Sequence, residues 1–214
     1  MSCLSLREER KLWKKGCKYV ACLDEAGRGP LAGPVVAVAV MLLNSNDKFL
    51  IQKEFQNLQL KDSKKLSWKQ REKFYKIITK NKNIEWGTAK ASERVIDKIN
   101  ILEATRLAMR RAIQKLNKKP NFLILDGKMK LDLPIPQKSI VKADEKVFSC
   151  AVASIIAKVT RDRIMQKNHK KYPRYRFDLH KGYGTKLHLR MLRKYRPCQI
   201  HRKTFGPVRA CKTR

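Results

Sequence analysis

Acidic side chains are scarce in this chain: 18 Asp and Glu stand against 51 Lys and Arg, a formal net charge of +33 over 214 residues. So few acids do not exclude small cationic or neutral substrates, but either would leave the charge unexplained. A polyanion explains it, because Lys and Arg that neutralise phosphates release condensed counterions and bind with little regard to sequence. Cysteine pairing is lacking too. Cys3, Cys17, Cys22, Cys150, Cys198 and Cys211 form no CxxC pair and no Cys/His group with zinc-finger spacing, which argues against a structural zinc or a disulfide scaffold. Cys22 and Cys150 lie in apolar runs and read as small buried hydrophobes of a reduced, cytoplasmic protein.

Long apolar runs are missing as well. Pro30 to Asn46 is nearly uncharged, but it holds two prolines and falls short of the roughly 20 residues a spanning helix needs. The first ten residues carry charge where a secretory leader has its apolar core, so a soluble protein without membrane contact is expected. With 9 Gly and 8 Pro the chain has too few for linkers, and its 43% hydrophobic content suffices for a core. These apolar residues are clustered, which predicts a folded domain with a very basic surface despite self-repulsion.

Along the chain, Lys18–Leu23 reads as a strand ending at Asp24-Glu25, before a turn-rich loop over 26–34. Val35–Leu43 is a buried strand pairing with it. Ser67 with Gln70 forms a capping-box signature for a helix carrying Phe74, Ile77 and Ile78 on one face. Ile84–Lys90 alternates as a third strand. Ser92 opens a helical pattern broken near Asn100, and Phe122–Leu125 is an apolar strand ending at Asp126-Gly127. Ile135–Val141 is weakly strand-like. Phe148, Ala151, Val152, Ile155, Ile156 and Val159 mark one helical stripe. Alternating strands and helices predict an α/β fold. Residues 158–214 hold 19 Lys and Arg against Asp162 and Asp178, so this basic part carries +17 and is expected to be helical and irregular.

Against this background the acids Asp24, Glu25, Asp126 and Asp144 fall where an apolar strand ends or a helix begins. Ligands of open α/β sheets bind at strand ends. Carboxylates converging there repel one another unless a cation intervenes, and all-oxygen ligands favour Mg²⁺ or Mn²⁺. Two such ions roughly 3.5–4 Å apart serve phosphodiester hydrolysis, so acids in a basic groove suggest a metal-dependent nuclease. Each acid also has a plainer reading. Asp-Glu before a Gly-rich loop is common turn chemistry, as is Asp126-Gly127, and Asp144 suits a helix start. His169, His180, His188 and His201 have no metal-ligand spacing and read as structural or phosphate-contacting.

The words around these acids are specific. Asp24-Glu-Ala-Gly-Arg-Gly-Pro-Leu-Ala-Gly-Pro-Val-Val36 resembles the N-terminal signature of ribonuclease HII, and Phe122-Leu-Ile-Leu-Asp-Gly127 its second acidic strand. Lys142-Ala-Asp144 with Ala153-Ser-Ile-Ile-Ala-Lys-Val-Thr-Arg-Asp-Arg163 resembles the third motif. His180-Lys-Gly-Tyr-Gly-Thr185 and His201-Arg-Lys-Thr-Phe-Gly-Pro207 look like its C-terminal blocks, and Asp62-Ser-Lys-Lys-Leu66 and Ile96-Asp-Lys-Ile-Asn100 match as well. The resemblance runs from about residue 18 to 208, and Gly27-Arg-Gly29 separates the chain from the ribonuclease HIII sister group. One departure is Ala143 where the family commonly has Gly, tolerable if the local φ is negative.

The resemblance implies a ribonuclease H-like mixed sheet flanked by helices, with a C-terminal helical extension. Residues 1–17 would be an N-terminal segment and 209–214 a tail. Between them, 18–208 would be the type 2 domain, its sheet core ending near 157. The implied activity is endonucleolytic hydrolysis of the RNA strand of RNA–DNA hybrids and nicking on the 5′ side of single ribonucleotides in duplex DNA, which removes misincorporated ribonucleotides. Asp24, Glu25, Asp126 and Asp144 match the family's metal-binding acids for two Mg²⁺ or Mn²⁺ ions. Gly27, Arg28 and Gly29 match the loop that reads the ribose, Tyr183 the tyrosine that packs on the sugar, and Ser63, Lys64 and Lys65 a loop near the substrate backbone. A monomer acting on nucleic acid with no protein partner is expected. Two rivals remain at this level: a non-catalytic nucleic-acid-binding protein with structural acids, and the same fold acting on DNA junctions or damaged DNA.

Overall fold

A computed structural model describes residues 4–43 and 66–211. Helix α1, Arg7–Lys14, precedes β1, Val20–Ala26, and β2, Val35–Leu42. All eight residues of β2 are buried, as a wholly aliphatic strand inside a sheet requires. Helix α2, Trp68–Lys80, starts at the Ser67–Gln70 capping box and buries Phe74 and Ile78, with Ile77 packed beside them. Strand β3, Ile84–Ala91, leads to α3, Glu93–Ile113, capped by the Ser92 side chain. Helix α3 breaks at Asn100, whose φ is +63°, and the Asn100 carboxamide oxygen accepts from the N–H groups of Leu102 and Glu103 to restart the helix.

Strands β4, Phe122–Asp126, and β5, Gln137–Ile140, complete the sheet. The short α4, Ala143–Lys146, turns into α5, Phe148–Lys171, and α5 runs unbroken past Lys158, where the composition changes. A 3₁₀ turn, Pro173–Tyr175, is followed by α6, Phe177–His180, α7, Lys186–Tyr195, and α8, Gly206–Arg209. The basic part is thus helical and irregular, as its composition predicts.

The sheet order is β3-β2-β1-β4-β5, with β2 antiparallel to both β3 and β1, and β4 parallel to both β1 and β5. One face carries Val38, Val40 and Leu42 against α2 and the apolar stripe of α5, including Phe148, Val152 and Ile156. The other carries Leu23, Ala37, Ala39 and Leu125 against Ile96, Ala108 and Met109 of α3. This is the mixed sheet flanked by helices that the sequence predicts. Strand β1 differs from expectation in length: it continues through Asp24 and Glu25 to Ala26, because β2 keeps pairing with it as far as Ala26 opposite Val36. The five described cysteines, Cys17, Cys22, Cys150, Cys198 and Cys211, are all free, with Cys22 and Cys150 buried. Among the described residues, no helix is long and apolar enough to cross a membrane.

Candidate active site

Parallel pairing of β1 and β4 ends at Leu23 opposite Leu125, so one further step sets Asp24 beside Asp126 at the carboxyl end of both strands. Asp24 shares the α5 face of the sheet with Cys22, and its neighbour Glu25 belongs by the pleat to the α3 face with Leu23. Asp24 is 5% exposed. Its Oδ1 accepts from the Glu25 N–H at 2.7 Å, and the Ser154 hydroxyl of α5 bonds its carboxylate. Lys158, one turn further along α5, donates to Ser154 Oγ at 3.0 Å, so an ammonium sits one hydroxyl away from Asp24.

Asp126 accepts from the Ala143 N–H at 2.6 Å, which ties β4 to the start of α4. Asp144 sits in the first turn of α4 and is buried. The backbone here bends at Lys142, with φ +58°, and Ala143 is helical, so the missing glycine costs nothing.

Asp24 and Glu25 feel the acids around them. Burial first, then the charges of Glu25 and Asp126, push the Asp24 carboxyl well above its ordinary value. Glu25 is raised by burial, opposed by the Arg28 charge, and raised again by Asp126 and Asp144. Arg28 Nη1 meets Glu25 Oε1 at 3.4 Å, while Glu25 Oε2 is buried with no hydrogen-bond partner. Among the described residues, no three His, Cys, Asp or Glu side chains are already gathered at ligating distance. The donor set nevertheless suits a hard cation: carboxylate oxygens only, mutually repelling, partly desolvated, one of them unsatisfied.

Beyond Glu25 the chain turns through Gly27, whose φ is +99°. A Cβ there would collide with the Arg161 side chain and stand 2.8 Å from the Pro34 carbonyl, so only glycine fits. Arg28 and Gly29 are exposed beside the acids. Two buried arginines hold the loop from behind. Arg161 of α5 donates from Nε to Pro34 O and from Nη2 to Ala32 O, both at 3.1 Å. Arg202 donates to the carbonyls of Gly27, Arg28 and Gly33, at 2.5 to 3.0 Å. Burial, with the Arg161 charge second, pushes the Arg202 guanidinium down to about 9.

Tyr183 is 49% exposed, and Arg161 faces its ring with 5.6 Å from Cζ to the centroid. The segment before it is fastened to the glycine loop, the Leu31 N–H donating to Gly182 O at 2.8 Å. The four acids, the 27–29 loop and Tyr183 therefore share one region, while Ser63, Lys64 and Lys65 lie outside the described residues. Ser154, Lys158, Arg161 and Arg202 have no part in the sequence reading of the site. A signal for the first three was available: Ser154, Lys158, Arg161 and Met165 recur at steps of four, three and four, one face of a helix.

The family model described as Ribonuclease HII matches residues 21–208. Ribonuclease HII of Bacillus velezensis (strain DSM 23117 / BGSC 10A6 / LMG 26770 / FZB42) is 50% identical over 202 residues, covering 94% of this chain and 75% of the relative. That of Caldanaerobacter subterraneus subsp. tengcongensis is 48% identical over 197 residues, covering 92% and 78%. In structure, the ribonuclease H2 of Pyrococcus horikoshii OT3 superposes with a TM-score of 0.77 at 27% identity, covering 91% of this chain and 97% of that one.

Proposed function

Since the chain belongs to the ribonuclease HII family, endoribonucleases acting on RNA–DNA hybrids, we propose that Asp24, Glu25, Asp126 and Asp144 hold its divalent cations and that the Gly27–Gly29 loop and Tyr183 restrict cutting to ribonucleotides. The observation that carries this reading is the placement of Asp24 beside Asp126 on adjoining strands, with Glu25 Oε2 next to them buried and unpartnered, in a chain otherwise so basic. Bound Mg²⁺ or Mn²⁺, two ions in the catalytic complex, supplies charge neutralisation and Lewis acidity for in-line hydrolysis of a phosphodiester.

The chain's own groups do the rest. Ser154 and the Glu25 N–H hold the Asp24 carboxylate in place, and Ala143 N–H holds Asp126, so the oxygens are aimed before substrate arrives. Arg161 and Arg202 take up the carbonyls on the inner side of the loop, leaving the exposed edge at Arg28 and Gly29 free to approach a sugar closely. The 2′-hydroxyl is the group that distinguishes RNA from DNA there. Tyr183 packs on the sugar at the RNA–DNA junction. Cleavage falls on the 5′ side of the ribonucleotide and leaves a 3′-hydroxyl and a 5′-phosphate, so single ribonucleotides misincorporated in duplex DNA are removed as well.

The test is a duplex with one embedded ribonucleotide, incubated with Mg²⁺ and wild type, Asp126→Asn or Tyr183→Ala. Wild type should nick it and leave an all-DNA duplex intact. Asp126→Asn should be inactive, and cleavage surviving in it overturns the metal assignment. An intact ribonucleotide duplex beside a cut all-DNA junction would favour a different substrate.

A further inference from the structure

Three of the four histidines are buried in one cluster that the reaction as described leaves without a task. His180 and His188 stack with ring centroids 4.3 Å apart, and Phe177 meets both edge-on. The hydrogen bonds fix every tautomer. The Cys198 backbone N–H donates to His201 Nδ1 at 3.0 Å, so that nitrogen is an acceptor and His201 carries its proton on Nε2. That Nε2–H meets His188 Nε2 at 3.1 Å, which must accept. His188 therefore carries its proton on Nδ1 and donates it to the Tyr183 carbonyl at 2.9 Å.

The result is a one-way chain from Cys198 through His201 and His188 to the backbone of Tyr183. The Tyr183 N–H is held as well, donating to His180 O at 2.9 Å. His180 is fixed in turn, accepting at Nδ1 from Gly182 N–H and donating from Nε2 to Tyr175 O. Burial keeps His188 and His201 neutral, pushing them down to about 4 and about 3, so a chain that needs neutral imidazoles is intact at working pH. The far end of the chain also bears on the loop. Residue 202 follows His201 directly, its N–H donates to Leu31 O, and its guanidinium grips the carbonyls of Gly27, Arg28 and Gly33.

We propose that His188, backed by His201, is a positioning residue that fixes the backbone of Tyr183 and so sets where the tyrosine ring meets the substrate sugar relative to the Gly27–Gly29 loop. This rests on the reading of Tyr183 as the residue that packs on the ribose. The Thr185 N–H also donates to the Tyr183 carbonyl at 2.8 Å, and the Leu31 N–H ties neighbouring Gly182 to the glycine loop, but these are backbone bonds. The imidazole chain adds the side-chain link from Tyr183 to the segment that carries Arg202.

The experiment compares kcat and KM on a duplex with one embedded ribonucleotide for wild type, Tyr183→Ala, His188→Leu, His188→Asn and the double variant His188→Leu/Tyr183→Ala, with melting temperatures taken alongside. His188→Leu should lower kcat/KM by roughly tenfold or more, and His188→Asn, whose Nδ2 stands near the position of the imidazole Nδ1–H, should recover most of it. Adding His188→Leu to Tyr183→Ala should cost nothing further, because a device that acts through Tyr183 has nothing left to act on. Losses that multiply in the double variant overturn the proposal while leaving the tyrosine's role intact. Full activity in Tyr183→Ala overturns the tyrosine's role itself, and this proposal with it. Should His188→Leu not fold, His201→Leu against His201→Gln asks the same question one link away, Gln keeping a donor toward His188. Equal activity in that pair counts against the chain.

Discussion

Arg161 places its guanidinium 5.6 Å from the centre of the Tyr183 ring while donating to the carbonyls of Pro34 and Ala32, so one side chain of α5 touches both elements proposed to read the sugar. It is 2% exposed and its guanidinium has no carboxylate partner in those bonds. Such a group is justified by geometry, since a planar fork reaches two carbonyls and an aromatic face at once.

Arg161→Lys removes that fork. An ammonium has three donors but places them all on one atom, whereas Arg161 reaches the two carbonyls from separate nitrogens, Nε and Nη2. A carbonyl left buried and unpaired costs about 1–3 kcal/mol. Urea denaturation should register that loss, and the kcat for single-ribonucleotide nicking should fall with it. Wild-type stability and rate in the lysine variant would show that the fork is dispensable.

Gly27 and Gly29 should part company. Gly27→Ala forces a side chain onto a φ of +99° and into the Arg161 side chain, so stability should drop by about 1–3 kcal/mol and the loop should shift. Gly29 has no neighbour within 4 Å of its virtual Cβ and no unusual φ. Gly29→Ala should melt like wild type, and a rise in its KM for ribonucleotide duplex would therefore report close approach of substrate. Matching melting temperatures for all three proteins would refute the distinction.

These two glycines illustrate what could be read from sequence. A Gly-Arg-Gly run after an acidic strand end announces a tight loop, but only the fold reveals that the first glycine is needed for packing and the second faces open space. The strands, the caps at Ser67 and Ser92 and the break at Asn100 were legible because each depends on neighbours within a few residues. The extension of β1 through Asp24 and Glu25 was not, because it depends on pairing with Val38 and Ala37 of β2 across the intervening loop. Arg202 was likewise invisible: it bonds Gly27 across 175 positions, and an arginine in a basic tail looks like one more phosphate contact. The histidines gave no spacing signal, since a relay of alternating tautomers needs contact and no fixed interval in sequence.

Asp24 supplies a prediction about the metal. Burial and the neighbouring carboxylates hold its folded-state pKa above the ordinary 3.8, so the folded protein binds this proton more tightly than the unfolded chain does. Its ionisation therefore opposes folding, and this cost grows as pH rises from 3.8 toward the folded value. With EDTA present at neutral pH, Asp24→Asn should melt above wild type and yet not cleave. Adding Mg²⁺ should raise the melting temperature of wild type more than that of Asp24→Asn, because a ligand stabilises in proportion to its binding. Equal shifts in the two proteins would separate Asp24 from the metal.

Glu9, on α1 and outside the four acids, makes the same argument. Its Oε1 accepts from the N–H and hydroxyl of Ser149 in the first turn of α5, at 3.1 and 2.9 Å, while Oε2 is buried without a partner. Burial outweighs those bonds and pushes the carboxyl from 4.5 up to about 7. Below pH 4.5 both folded and unfolded chains carry the proton and nothing is lost. Between 4.5 and 7 the unfolded chain releases it first, so stability falls as pH rises, by about 3 kcal/mol in all. Glu9→Gln keeps the acceptor toward Ser149 and has no charge to bury. It should match wild type in urea at pH 4, exceed it by about 3 kcal/mol at pH 8, and flatten the slope between. Parallel pH profiles for the two proteins would mean that water reaches Oε2 and that the contact between α1 and α5 is looser than its hydrogen bonds imply.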